Sequence, residues 1–231
     1  MAPSAATAKK LAIALDTDDL DQALDWAASV AGIVGIAKVG LQLFTACGPL
    51  AVEKLSDTGL EIFLDLKFHD IPTTVEKACR ESSRLGVSYV TVHSSGGVAM
   101  VKAALNGLGQ GATERGHHVP QLLGVTILTS AEQASESDLA QRISILLEAG
   151  ANGLVCAATD LPFICSFAPT LTKVVPGIRR RFDDPDDQAR TATPEIAVAA
   201  GADILVIGRP ITSSSNPRQA ALEISSAIEF A

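Results

Sequence analysis

The chain has 231 residues, 47% of them hydrophobic, which is enough to bury a large core in either one α/β barrel or two small domains. Its formal net charge of −8 argues against a general nucleic-acid binder, and an aromatic content of only 4% argues against base-stacking platforms. An anionic ligand would have to be held by a local cluster of cationic side chains and backbone N–H groups.

In chain order, residues 1–10 are rich in Ala and Ser and end in Lys9-Lys10, without the charged-then-apolar order of a signal peptide, so they read as a frayed terminus. Leu11 to Leu15 is an unbroken apolar run ending at Asp16. Asp18 to Val30 follows as a helix with Leu20, Leu24 and Ala27 on one face and Asp18 and Asp19 at its start. Gly35 to Val39 is a second strand, with Lys38 near its end. Phe44 to Leu55 is predicted as one helix despite Pro49, and Gly59 closes it.

The third strand opens the stretch on which the rest turns, Ile62-Phe-Leu-Asp65-Leu-Lys67-Phe-His-Asp70-Ile71-Pro72. Positions i and i+2 of a strand share a face, so Asp65 and Lys67 sit side by side. Asp70 follows as the strand ends, and Pro72 forbids further ladder pairing. A structural salt bridge accounts for two of these charges, but three of them among apolar residues exceed what stability requires.

The unit then repeats. Thr73 to Leu85 is helical and Gly86 stops it; Tyr89 to His93 is a strand, followed by a helix from Val98 to Leu105. Gln121 to Leu128 precedes a helix over Ser137–Glu148. Gly153 to Cys156 precedes a short helix after Asp160, and Lys173 to Gly177 a polar loop and a helix from Pro194. Asp203 to Gly208 precedes a last helix over Pro217–Phe230. Eight continuous apolar strands alternating with helices indicate a parallel sheet covered on both faces, and eight units in one chain of this size indicate a single closed (β/α)8 barrel of the TIM type over residues 11–231. An open doubly wound sheet is the runner-up, weakened by the lack of a GxGxxG after the first strand. The irregular stretch Arg179 to Arg190 is long enough to expect a functional loop.

In such barrels the ligand site lies at the strands' C-terminal ends. Those ends here carry Asp16, Lys38, Asp65, Lys67, His93, Thr129-Ser130, Arg179 and Gly208-Arg209. Four alternating charges on the first three strands are hard to read as solvated surface. Gly208-Arg209 after the eighth strand suits a phosphate, since glycine admits close backbone approach and arginine offers a forked cation. His93 alone reads as a hydrogen-bonded strand-end histidine and Thr129-Ser130 equally as a helix cap. Cys47, Cys79, Cys156 and Cys165 form no CxxC pair and read as reduced thiols of a cytoplasmic protein. No cluster has zinc-site spacing, and no apolar run approaches the ~20 residues of a membrane span.

Asp65-Leu-Lys67-Phe-His-Asp70-Ile71-Pro-Thr-Thr74 resembles the D-x-K-x-x-D-I-P-x-T signature of the bacterial-type orotidine 5′-phosphate decarboxylase family. Leu15-Asp16, Lys38-Val-Gly40, Val92 to Gly97, Val125 to Ser130, Pro176 to Arg179, Asp187-Gln188 and Val206 to Pro210 fall in the same family's order. Thr73, where many relatives have Asn, is a mild departure. The resemblance implies a barrel homodimer with sites shared across the interface, acting on orotidine 5′-monophosphate without cofactor or metal. It implies Asp16 and Lys38 at the ribose, Asp65 near the substrate carboxylate and Lys67 as proton donor. Asp70, with Ile71 and Thr74, would enter the neighbouring subunit's site. Thr129 and Ser130 would contact substrate, Ser130 at the pyrimidine edge. Gln188, Gly208 and Arg209 would hold the phosphate, with Arg179 in the same loop. Two other readings stand beside this one: a metal-dependent sugar-phosphate decarboxylase or aldolase on a related barrel, and a non-catalytic binder of phosphate ligands.

Overall fold

The computed structural model describes residues 3–127, 135–180 and 190–229. Eight strands form the barrel: β1 (Leu11–Ala14), β2 (Ile36–Gly40), β3 (Glu61–Phe68), β4 (Tyr89–His93), β5 (Gln121–Val125), β6 (Gly153–Val155), β7 (Thr172–Val175) and β8 (Ile204–Ile207). They pair in parallel in sequence order, and β8 closes back on β1, with Ala12 opposite Val206. The open-sheet alternative is therefore excluded.

Strand alternation divides the core in two. Ala12, Ala14, Ile36, Phe63, Leu123, Val174, Ile204 and Val206 fill the interior, with Tyr89 edge-on to Phe63 at 5.9 Å. This packing makes the barrel a solid floor beneath the mouth rather than a pore. The opposite parity, including Leu11, Ile13, Ile62, Leu64, Val90 and Val92, faces the surrounding helices.

The helix Leu20–Ser29 is capped by Asp19, whose side chain accepts from the N–H groups of Asp21 and Gln22. The single helix predicted over Phe44–Leu55 is instead two, Leu41–Cys47 and Pro49–Ser56. Gly48 between them has φ 60°, where the chain turns before Pro49 opens the next helix. The helix predicted over Val98–Leu105 runs on from Gly97 to Arg115. The reason is packing against Pro72–Arg84. A Cβ at Gly107 would fall 2.1 Å from the Glu76 carbonyl oxygen, and one at Gly111 2.2 Å from that of Arg80. The two glycines, poor helix formers alone, let the two helices approach closely, and Ser83 Oγ donates to the Leu108 carbonyl across the contact at 2.8 Å.

The N-terminal stretch also departs from the frayed-end expectation. Ala5–Ala8 makes a helical turn, Ser4 N–H and Thr7 Oγ1 both donate to Glu229, and the Ala8 carbonyl accepts from Gly35. Among the described residues no helix is long and apolar enough to cross a membrane.

Candidate active site

The mouth at the strands' C-terminal ends holds a cavity of about 450 Å³. Its lining includes Asp16, Lys38, Asp65, Lys67, Arg179, Gly208 and Arg209, so seven of the sequence-predicted residues meet in one place. Ala14, Val125, Ile127, Val155, Pro176 and Val206 give it an apolar wall, and Cys156, Gly177 and Thr212 complete it.

The charges at its floor alternate in space as in sequence. Lys38 Nζ lies 2.9 Å from Asp16 Oδ1 and 3.8 Å from Asp65 Oδ2, and Lys67 Nζ lies 2.7 Å from that same Oδ2. Asp65 thus sits between two ammonium groups. Its other oxygen, Oδ1, accepts from Thr91 Oγ1 at 2.9 Å, in the barrel interior. At the end of β2, Gly40 leaves room for this network, since a Cβ there would stand 2.9 Å from Lys38 Nζ.

The straight-strand argument for Asp65 and Lys67 reaches the right neighbours by the wrong route. Between the pairs Leu64–Val90 and Phe68–Val92, β3 advances four residues while β4 advances two. That bulge takes up the excess, and Lys67, at φ 50°, is the only non-glycine residue with positive φ among those described. Lys67 N–H leaves the ladder and donates to Thr91 Oγ1 at 2.9 Å. A left-handed conformation at a lysine is unfavourable by about 1–2 kcal/mol, and such strain collects at functional sites. Thr91 was missed by sequence reading. Its one signal is a hydroxyl inside the apolar run Tyr89–His93, on the parity that faces the barrel interior.

Asp70 stands apart from this network: within one chain it is exposed, accepts from the N–H of Ile71 at 2.7 Å, and meets no cationic side chain among the described residues. Ile71, 67% exposed, and Thr74, also exposed, stand with it on the rim where the helix Pro72–Arg84 begins. Thr129, Ser130 and Gln188 lie outside the described residues.

Arg209 opens a short helical turn, Arg209–Thr212, directly after Gly208. A Cβ on Gly208 would meet only Ala14 at 3.6 Å, an ordinary contact, so packing does not demand glycine and the open side is the cavity. Arg179 is buried, lines the same cavity, and donates to the Ile178 carbonyl.

Two neighbouring groups are electrostatically quiet. Burial, then the nearby Asp160 carboxylate, pushes the Cys156 thiol upward, so it stays protonated and is no nucleophile. Burial, then His69 with its ring 5.5 Å away, then Lys67, pulls His93 below its ordinary value. His93 is therefore neutral near pH 7 and does not line the cavity. Among the described residues, no three His, Cys, Asp or Glu side chains gather where they could share a metal ion.

Fold and site together define a (β/α)8 barrel whose mouth gathers four cationic and two acidic side chains around one cavity. A family model for the orotidine 5′-phosphate decarboxylase / HUMPS family matches residues 9–224. Orotidine 5′-phosphate decarboxylase of Synechococcus sp. (strain CC9311) is 42% identical over 226 residues, covering 93% of each chain. That of Thermobifida fusca (strain YX) is 40% identical over 234 residues, covering 96% of this chain and 97% of the other. The crystal structure of orotidine 5′-phosphate decarboxylase from Lactobacillus acidophilus superposes with a TM-score of 0.80 at 33% identity, covering 95% of this chain and 99% of that one. The chain belongs to the orotidine 5′-phosphate decarboxylase / HUMPS family.

Proposed function

We propose that this chain converts orotidine 5′-monophosphate to uridine 5′-monophosphate and carbon dioxide in pyrimidine biosynthesis, without cofactor or metal. The observation that carries the reading is the alternating line Asp16–Lys38–Asp65–Lys67 in a cavity that Gly208, Arg209 and Arg179 also line.

Losing carbon dioxide from C6 of the pyrimidine leaves an electron pair in the ring plane, where the ring delocalises it poorly. The mouth offers a fixed ammonium instead. Lys67, held by Asp65 and by its own bulge, stabilises the developing carbanion and then donates its proton to C6. The Asp65 carboxylate, pinned by Lys38, Lys67 and Thr91, stands where it would repel the substrate's carboxylate, a ground-state contribution. Asp16 and Lys38 hold the ribose. Gly208 and Arg209, with Gln188 and Arg179, hold the phosphate, whose binding energy is expressed at the reacting carbon. Ser130 meets the pyrimidine edge, and Thr129 beside it also contacts substrate.

The active unit is a homodimer in which Asp70, Ile71 and Thr74 enter the partner's site. The exposed Ile71, and Leu41, 57% exposed at the start of the helix after β2, support this, as exposed apolar residues suit a subunit contact. A cytoplasmic setting accords with four free thiols. The metal-dependent sugar-phosphate reading is less favoured, because Asp65 is already flanked by two ammonium groups that would repel a divalent cation. Chelator-treated protein mixed with orotidine 5′-monophosphate should shift the ultraviolet spectrum to that of uridine 5′-monophosphate. An unchanged spectrum that responds only to added divalent metal and a sugar phosphate would support the alternative.

A further inference from the structure

A buried ion pair outside the charged floor holds one end of the segment that carries Arg179. Arg190 Nη1 donates to both carboxylate oxygens of Asp160, at 2.8 and 2.9 Å. Each side chain is only 10% exposed. Asp160 ends the turn Ala158–Asp160 that follows β6, just beyond Val155 and Cys156 of the cavity wall. Arg190 lies two residues before Ala192, and Ala192 bridges Ile178. Arg179 N–H donates to the Ala192 carbonyl at 2.9 Å, and Ala192 N–H donates to the Gly177 carbonyl at 3.2 Å. The cavity-lining segment after β7, Pro176 to Arg179, is therefore tied to Ala192 by backbone, and the chain beside Ala192 is tied to the end of β6 by the ion pair.

A buried ion pair is a weak source of stability, because desolvating two charges offsets much of their attraction; its better-attested use is fixing one arrangement among several. Here the arrangement fixed is that of two loops at the anion end of the mouth. Arginine suits this role, since its planar fork matches a carboxylate in one orientation.

We propose that the Asp160–Arg190 pair is a positioning device for the phosphate end of the cavity. It holds the return end of the segment after β7 against β6, and through the Ile178–Ala192 bridge it sets Arg179 toward the ligand. Neither Asp160 nor Arg190 needs to touch the ligand. The inference rests on the proposed function for the ligand's class, a nucleoside 5′-monophosphate.

The test is calorimetric titration with uridine 5′-monophosphate, beside steady-state kinetics with orotidine 5′-monophosphate. Asp160→Asn keeps the shape and removes the charge. It should weaken uridine 5′-monophosphate binding about 10-fold and raise KM similarly, with kcat within about threefold, an effect in the range of coupled neighbours. In an Arg179→Ala background the same substitution should change affinity less than about twofold, because the route to the ligand is gone. A residue that merely stabilised the fold would not show that dependence on Arg179. Arg190→Lys, which keeps the charge but not the fork, should weaken binding in the same direction by less, and it decides the matter if Asp160→Asn does not fold. Unchanged affinity in the folded variants, or losses that multiply with Arg179→Ala, would overturn the proposal. Wild-type protein that binds uridine 5′-monophosphate but leaves orotidine 5′-monophosphate intact would overturn the assigned reaction alone, with the anchor then judged on binding. Wild-type protein that binds no uridine 5′-monophosphate would overturn both.

Discussion

Asp65→Asn removes one charge from the centre of the network and leaves its shape. In the wild type, one Asp65 oxygen faces Lys67 at 2.7 Å and Lys38 at 3.8 Å, while the other accepts from Thr91. With an effective dielectric near 20, the gross attractions are about 6 and about 4 kcal/mol. Most of that is offset by desolvation, and removing one partner of a buried pair typically destabilises by about 3–5 kcal/mol. Two features place this site below that range. Lys38 keeps Asp16 at 2.9 Å, and the Lys67 side chain is 29% exposed, so water can solvate it. The expected loss is about 2 kcal/mol, which for a domain of this size lowers Tm by roughly 4–8 °C. Kinetics should separate from stability. A neutral residue 65 no longer repels the substrate carboxylate, so KM for orotidine 5′-monophosphate should hold or fall while kcat drops at least ~100-fold, the pattern of lost ground-state strain. Thermal unfolding and steady-state kinetics on the same preparation measure both. An unchanged kcat with an unchanged Tm would refute the reasoning.

Arg209→Ala should lose about 2–4 kcal/mol of transition-state stabilisation for orotidine 5′-monophosphate and almost none for the phosphate-free nucleoside; equal losses on both substrates would make Arg209 structural. Mixing Lys67→Ala chains with Asp70→Ala chains should, after subunit exchange, give heterodimers with one doubly defective and one intact site, hence about half of wild-type activity per heterodimer. Exchange without recovered activity would mean that Asp70 acts in its own chain. For pH, a histidine whose folded pKa is lowered binds fewer protons than the unfolded chain does, so stability falls as pH drops through the unfolded value of about 6.5. Chemical denaturation across that window should show this for the wild type and a flatter profile for His93→Gln, because burial, His69 and Lys67 act on that ring.

The barrel was readable because its strands are continuous apolar runs, and polar residues interrupt them at the ends where the mouth forms. Asp16, Lys38, Asp65, Lys67, Arg179, Gly208 and Arg209 could be gathered from strand ends alone, and the cavity collects them. What local pattern could not give was set by contacts distant in sequence. The bulge at Lys67 depends on pairing with β4 and on Thr91, and a period of two cannot announce it. Gly107 and Gly111 look like a helix end in isolation and become a helix contact only beside Glu76 and Arg80. Asp160 and Arg190 stand 30 residues apart, each unremarkable until the chain brings them together. Asp70 shows the reverse limit, for one chain alone gives it no cationic partner among the described residues.

The central claim is that Lys67 delivers the proton that replaces carbon dioxide. Wild-type protein acting on orotidine 5′-monophosphate in deuterium oxide, followed by proton NMR, should yield uridine 5′-monophosphate carrying deuterium at C6, while Lys67→Ala, folded by circular dichroism, yields none above the uncatalysed background. Formation of C6-deuterated product by Lys67→Ala at near wild-type rate would contradict the account.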